Sequence, residues 1–150
     1  GDCPFSTERS GGLPTSQLVE MCFSGKHTHQ EIKKMLKGKG GVLAYLGTND
    51  MMEVEKRIDK KDEEALKVFN AMCYQVVKEI GAMATVLDGK VDKIIVTGGV
   101  AYDKRLIDYI KNKTSFIAEV EVVPGEEEMR ALALGGLRVL RNEEKAKEFN

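Results

Sequence analysis

At 150 residues the chain is long enough for one domain with a proper core and too short for two ordinary ones. It is 42% hydrophobic and 31% charged, and 23 Lys+Arg against 24 Asp+Glu leave a net charge of -1. A soluble globular composition with so even a balance has no global pull toward nucleic acid or an acidic membrane surface. With aromatics at 6% and no tryptophan, a base-stacking platform is not expected either.

Residues 1–14 read as a loop, because Pro4, Gly11, Gly12 and Pro14 interrupt any period. From Thr15, Leu18, Val19, Cys22 and Phe23 have helical spacing that stops at Ser24-Gly25. Thr28-His29-Gln30-Glu31 is a capping box opening a second short helix with Ile32, Met35 and Leu36 on one face and Gly38 placed to end it. The lysines around it (33, 34, 37 and 39) read as a solvated face, since no arginine or aromatic is interleaved. Gly40 to Gly47 is a short apolar segment between glycines, expected as a buried strand or an extended connector. Thr48-Asn49-Asp50 then offers cap chemistry to a helix over 51–59.

After Asp62 comes the longest periodic element. Ala65, Phe69, Met72, Val76, Ile80, Met83 and Leu87 recur at spacings of three and four. They predict one helix of about 25 residues, roughly 38 Å long. Val77, Ala82, Ala84 and Val86 add apolar surface on its other faces, so its second half is expected to be buried nearly all round. The methionines in the stripe are ordinary core.

Asp88-Gly89 turns the chain into a strand over 93–97, which runs into Gly98-Gly99. Leu106, Ile107 and Ile110 mark a helix, 117–123 a second strand closed by Pro124-Gly125, and Met129, Leu132, Ala133, Leu137 and Leu140 a last helix before a charged tail over 141–150. This second half is a βαβα unit whose crossover should be right-handed and whose strands should be parallel. Two or three strands against some six helices cannot make a well-covered sheet, so strands from a partner or from the rest of a parent domain are expected to complete it.

Chemistry has few candidates. Gly98-Gly99 lies at the carboxyl end of a strand, where ligands bind in open α/β sheets, and a tight turn needing positive φ explains it equally well. Arg9 stands in a Ser/Gly-rich loop, where a planar guanidinium suits phosphate or carboxylate oxygens; an exposed surface arginine is the plainer reading. Glu126-Glu127-Glu128 complements the dipole of the last helix, and one of the three could instead reach a hydrated Mg²⁺. Asp50 is a helix cap by default and a ribose-hydroxyl partner by alternative. There is no Gly-x-x-x-x-Gly-Lys-Ser/Thr loop and no Gly-x-Gly-x-x-Gly fingerprint. Cys3, Cys22 and Cys73 are odd in number and far apart, His27 and His29 have no cysteine near them, and no zinc or disulfide pattern results. Reduced thiols, no apolar run of membrane-spanning length and no signal-peptide pattern point to a cytoplasmic protein.

Taken together, the segments Pro4–Pro14, Gly40–Asp50, Lys78–Met83, Ile94–Tyr102, Pro124–Met129 and Leu137–Arg141 resemble the carboxyl-terminal part of the acetate and butyrate kinase family, its butyrate kinase branch most closely. The resemblance covers essentially the whole chain in order. It implies part of an actin-like ATPase (ribonuclease H-like) fold of the sugar kinase and Hsp70 superfamily: α/β, helix-rich, with residues 1–150 as one carboxyl-terminal nucleotide-binding domain of a two-domain kinase. The implied reaction carries the γ-phosphoryl of ATP to butanoate, reversibly, giving butanoyl phosphate and ADP with Mg²⁺. The family's adenosine segment falls on Gly98, Gly99, Val100, Ala101 and Tyr102, and its second nucleotide segment on Asp50, Met51 and Met52. Arg9 matches the arginine that meets the transferring phosphoryl group or the carboxylate, and Glu127 the glutamate associated with Mg²⁺. The family has glycine where Cys3 stands and proline where Thr7 stands. Its amino-terminal domain and its His-x-His-x-Gly-Gly-Gly phosphate loop have no counterpart, so the 150 residues alone are expected to bind adenosine weakly and to lack kinase activity. A cytoplasmic homodimer acting on a short-chain carboxylate, without nucleic acid or membrane, is the implied parent. Acetate, propionate or branched-chain carboxylate kinase is the neighbouring alternative, and a non-catalytic nucleotide-sensing or dimerisation module the alternative of another class.

Overall fold

A computed structural model describes residues 4–125 and 127–146. Cys3, Glu126 and the last part of the charged tail lie outside the described residues. Among the described residues seven helices are found: α1 Thr15–Phe23, α2 His29–Leu36, α3 Gly41–Leu46, α4 Met51–Asp59, α5 Glu63–Val86, α6 Lys104–Thr114 and α7 Glu128–Leu140. Two strands, β1 Lys93–Gly98 and β2 Glu119–Pro124, flank α6, and a single 3-10 turn, Gly99–Tyr102, joins β1 to it.

The strands are parallel, in register from Lys93 opposite Glu119 to Gly98 opposite Pro124. Alternation sets their faces: Ile94 and Val96 of β1, and Val120 and Val122 of β2, are half-buried, while Ile95 is exposed. Val96 and Val120 pack against a core built from Phe5, Val42, Val54, Ile58, Val68, Phe69, Met72, Cys73, Leu106 and Ile110. The centre of that core is the first half of α5, against which α3, α4 and α6 pack.

Local signals place the helix starts. Thr28 and Glu31 close a reciprocal box, the Glu31 N–H donating to Thr28 Oγ1 at 3.3 Å and the Thr28 N–H to Glu31 Oε2 at 2.7 Å. Asp62 Oδ1 accepts from the Ala65 N–H at 3.0 Å to cap α5, and Asp62 Oδ2 accepts from Arg57 Nε at 2.8 Å. Arg57 also donates to the Leu46 carbonyl at 2.9 Å, so one guanidinium ties the end of α3 to the start of α5.

Two expectations are corrected. Residues 41–46 are helical, neither strand nor extended connector: Gly40 is extended at the N-cap, and Gly47, at φ 74°, ends the helix. The burial explains why. Val42 is fully buried and Leu46 packs on the core four residues later, whereas Ala44, which a strand would bury with them, is exposed. The second half of α5 is also less covered than its composition implied. Ala84 is buried, but Met83 and Val86, and Leu87 at the cap, are 50%, 73% and 54% exposed. α1 forms where its pattern predicts, yet has no buried residue, and Phe23 is exposed.

Cysteine reactivity follows from this packing. Cys73 is buried, and burial first, then the charge of Asp103, pushes its thiol up to about 12. Cys22 is exposed. Iodoacetamide at neutral pH is therefore expected to alkylate Cys22 in the native protein and Cys73 only after unfolding. Peptide mapping checks this, and rapid native labelling at Cys73 would contradict the packing described.

Candidate functional site

β1 delivers its carboxyl end to Gly98, whose φ of 81° and ψ of -168° suit glycine alone. The 3-10 turn follows, and Asp103 then starts α6, its Oδ1 accepting from the Leu106 N–H at 2.9 Å. At the end of β2, Gly125 (φ 109°) donates its N–H to the Gly98 carbonyl at 3.4 Å. A Cβ on Gly125 would lie 3.4 Å from the Tyr102 hydroxyl. Bare backbone and the turn thus share the carboxyl edge of the sheet, the edge where parallel sheets take ligands.

Beside that edge opens a largely apolar cavity of about 910 Å³. Its walls come from four places: Phe5 to Thr7 of the first loop, Met51, Met52 and Glu55 of α4, Met72, Val76 and Ile80 of α5, and the run from Ile95 through the 3-10 turn into α6. The size lies in the range of small-molecule and cofactor pockets. Of the residues singled out from sequence, Met51, Met52, Gly99, Val100 and Tyr102 line it together, although some fifty positions separate the two segments. Ala101 is buried in the turn, and Gly98 sits at its entry.

The remaining candidates do not line the cavity. Asp50 caps α4, its Oδ1 accepting from the Met52 N–H at 2.9 Å, so the default reading of this residue holds. Arg9 is exposed and makes no ion pair among the described residues. Its loop is held by backbone: the carbonyl of Glu8 accepts from Gly38 at 2.9 Å and from Gly40 at 3.2 Å, that of Ser6 from Val42 at 2.9 Å, and that of Thr7 from Leu43 at 2.9 Å. Asn49 Nδ2 donates to Glu8 Oε1, which joins the Arg9 loop to the Asp50 segment. Glu127 precedes α7, and both of its carboxylate oxygens accept from Arg130 Nη1 at 3.2 Å.

Two cavity residues, Glu55 and Asp103, carried no functional reading from sequence. A signal existed for the first: Glu55 stands four positions after Met51, on the same face of α4. Desolvation raises its carboxyl above the ordinary glutamate range, the nearby Asp103 raises it further and Asp59 adds to this, while Arg105 opposes them. A carboxyl raised in the folded state binds its proton more tightly there than in the unfolded chain. Stability therefore falls as pH rises from the ordinary glutamate range through the raised value. Glu55→Gln is accordingly expected to stabilise the protein at neutral pH, with the gain vanishing in acid. Urea unfolding across that pH range reads it, and a pH-independent difference would contradict the assignment.

Among the described residues no group of three His, Cys, Asp or Glu side chains is placed to hold a metal ion. A Mg²⁺ held by one or two carboxylates together with substrate phosphates needs fewer protein ligands than that. No described helix is long and apolar enough to cross a membrane.

The acetokinase family profile matches residues 6–124. Among solved structures, the acetate kinase of Porphyromonas gingivalis has a TM-score of 0.83 at 22% identity, over 93% of this chain and 41% of its own. The propionate kinase of Francisella tularensis subsp. tularensis SCHU S4 has a TM-score of 0.71 at 22% identity, over 85% of this chain and 39% of its own. The acetate kinase of Entamoeba histolytica has a TM-score of 0.76 at 18% identity, over 89% of this chain and 42% of its own. The chain spans about two fifths of the length of these structures. The likeness bears out the expected helix-rich α/β class with its βαβα unit and the actin-like ATPase fold.

Proposed function

The chain belongs to the acetokinase family, and from this we propose that it forms the adenosine side of the active-site cleft of a short-chain carboxylate kinase, with butanoate as the acceptor. The observation that carries the reading is the cavity that gathers Met51 and Met52 with Gly99, Val100 and Tyr102 at the carboxyl end of β1. An apolar, partly open chamber of this size takes a purine and ribose, and the glycines let the nucleotide approach the main chain.

Phosphoryl transfer demands alignment and charge stabilisation more than covalent help from the protein. Arg9, exposed on a loop fixed by backbone hydrogen bonds, supplies a planar cationic fork for the transferring group or the carboxylate. Asp50 holds the start of α4, which positions Met51 and Met52 against the nucleotide, and its second oxygen is available to a ribose hydroxyl. Glu127, which pairs with Arg130 in the structure, would be the carboxylate that holds Mg²⁺. The metal, when bound, neutralises charge on the phosphates.

Butanoate is preferred to acetate, propionate or a branched acid on the resemblance of the motifs. The active protein is proposed to be cytoplasmic and homodimeric. The test uses the intact protein with ATP, Mg²⁺ and each acid, trapping acyl phosphate as the hydroxamate. Butanoate should give the highest kcat/KM; a higher value for acetate or propionate moves the substrate assignment, and no acyl phosphate with any acid favours a nucleotide-sensing module. Val100→Trp, which fills the cavity, is expected to weaken ADP binding by at least about tenfold, equivalent to about 1.4 kcal/mol. Fluorescence titration with a labelled ADP checks this, and unchanged affinity would remove the nucleotide from the cavity.

A further inference from the structure

The loop that carries Arg9 leaves and rejoins the fold at one point, and a side chain of α5 holds that point. Gln75, half-buried, accepts the Phe5 N–H on its Oε1 at 3.1 Å, across 70 positions of sequence. Only the oxygen of that amide can accept, so chemistry fixes which way the group is turned. Among the described residues the Phe5 N–H has no other acceptor. Six residues later the chain returns over the same bond. Gly11 has a φ of 73°, and a Cβ on it would stand 2.6 Å from the Phe5 nitrogen and 2.9 Å from Gln75 Oε1. Arg9 lies between these two ends, and its carbonyl accepts the Ser6 N–H at 3.1 Å to close the turn. The Phe5 ring is buried, edge-on to Tyr45, which anchors the side chain and leaves the main chain to Gln75. Gln75 does not line the large cavity, but its neighbour Val76 does, with Met72 and Ile80. One helix therefore braces both the chamber and the base of the arginine loop.

We propose that Gln75 is a positioning residue for the transfer step, which fixes the ends of the 5–11 loop against α5 and so sets where the Arg9 guanidinium stands. This rests on the reading of Arg9 as the cation that meets the transferring group. The carbonyls of Ser6, Thr7 and Glu8 secure the middle of the loop to Val42, Leu43, Gly38 and Gly40, and Gln75 secures the two ends. A main-chain donor stripped of its acceptor turns to water and takes its segment with it. Misplacing an aligned group by about 1 Å costs up to about a hundredfold in rate.

The experiment compares Gln75→Met and Gln75→Glu in the intact protein, singly and combined with Arg9→Ala, by single-turnover acyl phosphate formation, ADP titration and thermal unfolding. Methionine has the reach of glutamine without a comparable acceptor, whereas glutamate keeps an acceptor oxygen. Gln75→Met should lower kcat by at least about tenfold and leave ADP affinity unchanged, while Gln75→Glu should stay within about threefold of wild type. In the Arg9→Ala background Gln75→Met should lower kcat no further, because it acts through the guanidinium. A purely structural role lowers the unfolding temperature and leaves the kcat of the folded enzyme intact. That result, equal losses in the Met and Glu variants, or a full further loss on top of Arg9→Ala overturns the proposal and leaves the Arg9 reading standing. If Arg9→Ala itself turns over like wild type, that reading and this inference fall together.

Discussion

Arg9→Ala in the intact enzyme is expected to lower kcat for acyl phosphate formation by about a thousandfold or more, the range associated with an arginine that meets a transferring phosphoryl group. ADP affinity should be unchanged, because Arg9 lies outside the cavity that lines Met51, Met52 and the 3-10 turn. Thermal stability should be unchanged as well. The side chain is exposed and makes no ion pair among the described residues, while its loop is secured by carbonyls of Ser6, Thr7 and Glu8 that alanine leaves in place. Arg9→Lys should recover little of the loss, since an ammonium is a point charge without the bidentate fork. Single-turnover phosphoryl transfer alongside ADP titration separates these effects. A variant within tenfold of wild-type kcat would show that Arg9 does not meet the reacting groups, and a fall in ADP affinity with constant kcat would place it on the nucleotide.

Most of the helical frame was legible because its signals are local. The capping box at Thr28 and Glu31, the caps at Asp50 and Asp62, and the three-and-four spacing of Ala65, Phe69 and Met72 each act within a few residues and depend on little else. The misreadings have a common physical origin in tertiary context. Residues 41–46 are apolar throughout, and six such residues between glycines carry no period long enough to choose helix over strand; the choice was made by where Val42 and Leu46 could reach the core. The second half of α5 has a composition for burial, yet burial is decided by what lies opposite, and Met83 and Val86 stay exposed. The site followed the same rule. Glycines and an arginine in recognisable loops could be singled out from sequence, whereas Glu55 acquires its character from desolvation in the fold and from Asp103, which stands far along the chain.

The glycine pair at the start of α3 then acquires a purpose that its sequence context did not carry. Gly41 has a φ of 65°, and a Cβ there would come within 2.8 Å of the Arg9 nitrogen and 2.9 Å of the Arg9 carbonyl oxygen, closer still to the Ser6 carbonyl. All three neighbours are backbone and cannot swing aside. Left-handed φ alone costs a non-glycine residue about 1–2 kcal/mol, and overlap with a fixed main chain adds to it. Gly41→Ala is therefore expected to destabilise the protein by more than about 3 kcal/mol, or to relieve the overlap by pushing the 5–10 loop off the start of α3. In the second case the variant folds and binds ADP but loses kcat as Arg9→Ala does, because the guanidinium is displaced. Gly12→Ala is the control: Gly12 has no positive φ and nothing within 4 Å of the added methyl, so it should shift stability by less than about 0.5 kcal/mol. Denaturant unfolding of both variants with kcat measured in parallel decides the matter. If Gly41→Ala keeps wild-type stability and turnover, the α3 start does not seat the Arg9 loop, and the proposed link between this glycine and Arg9 is broken.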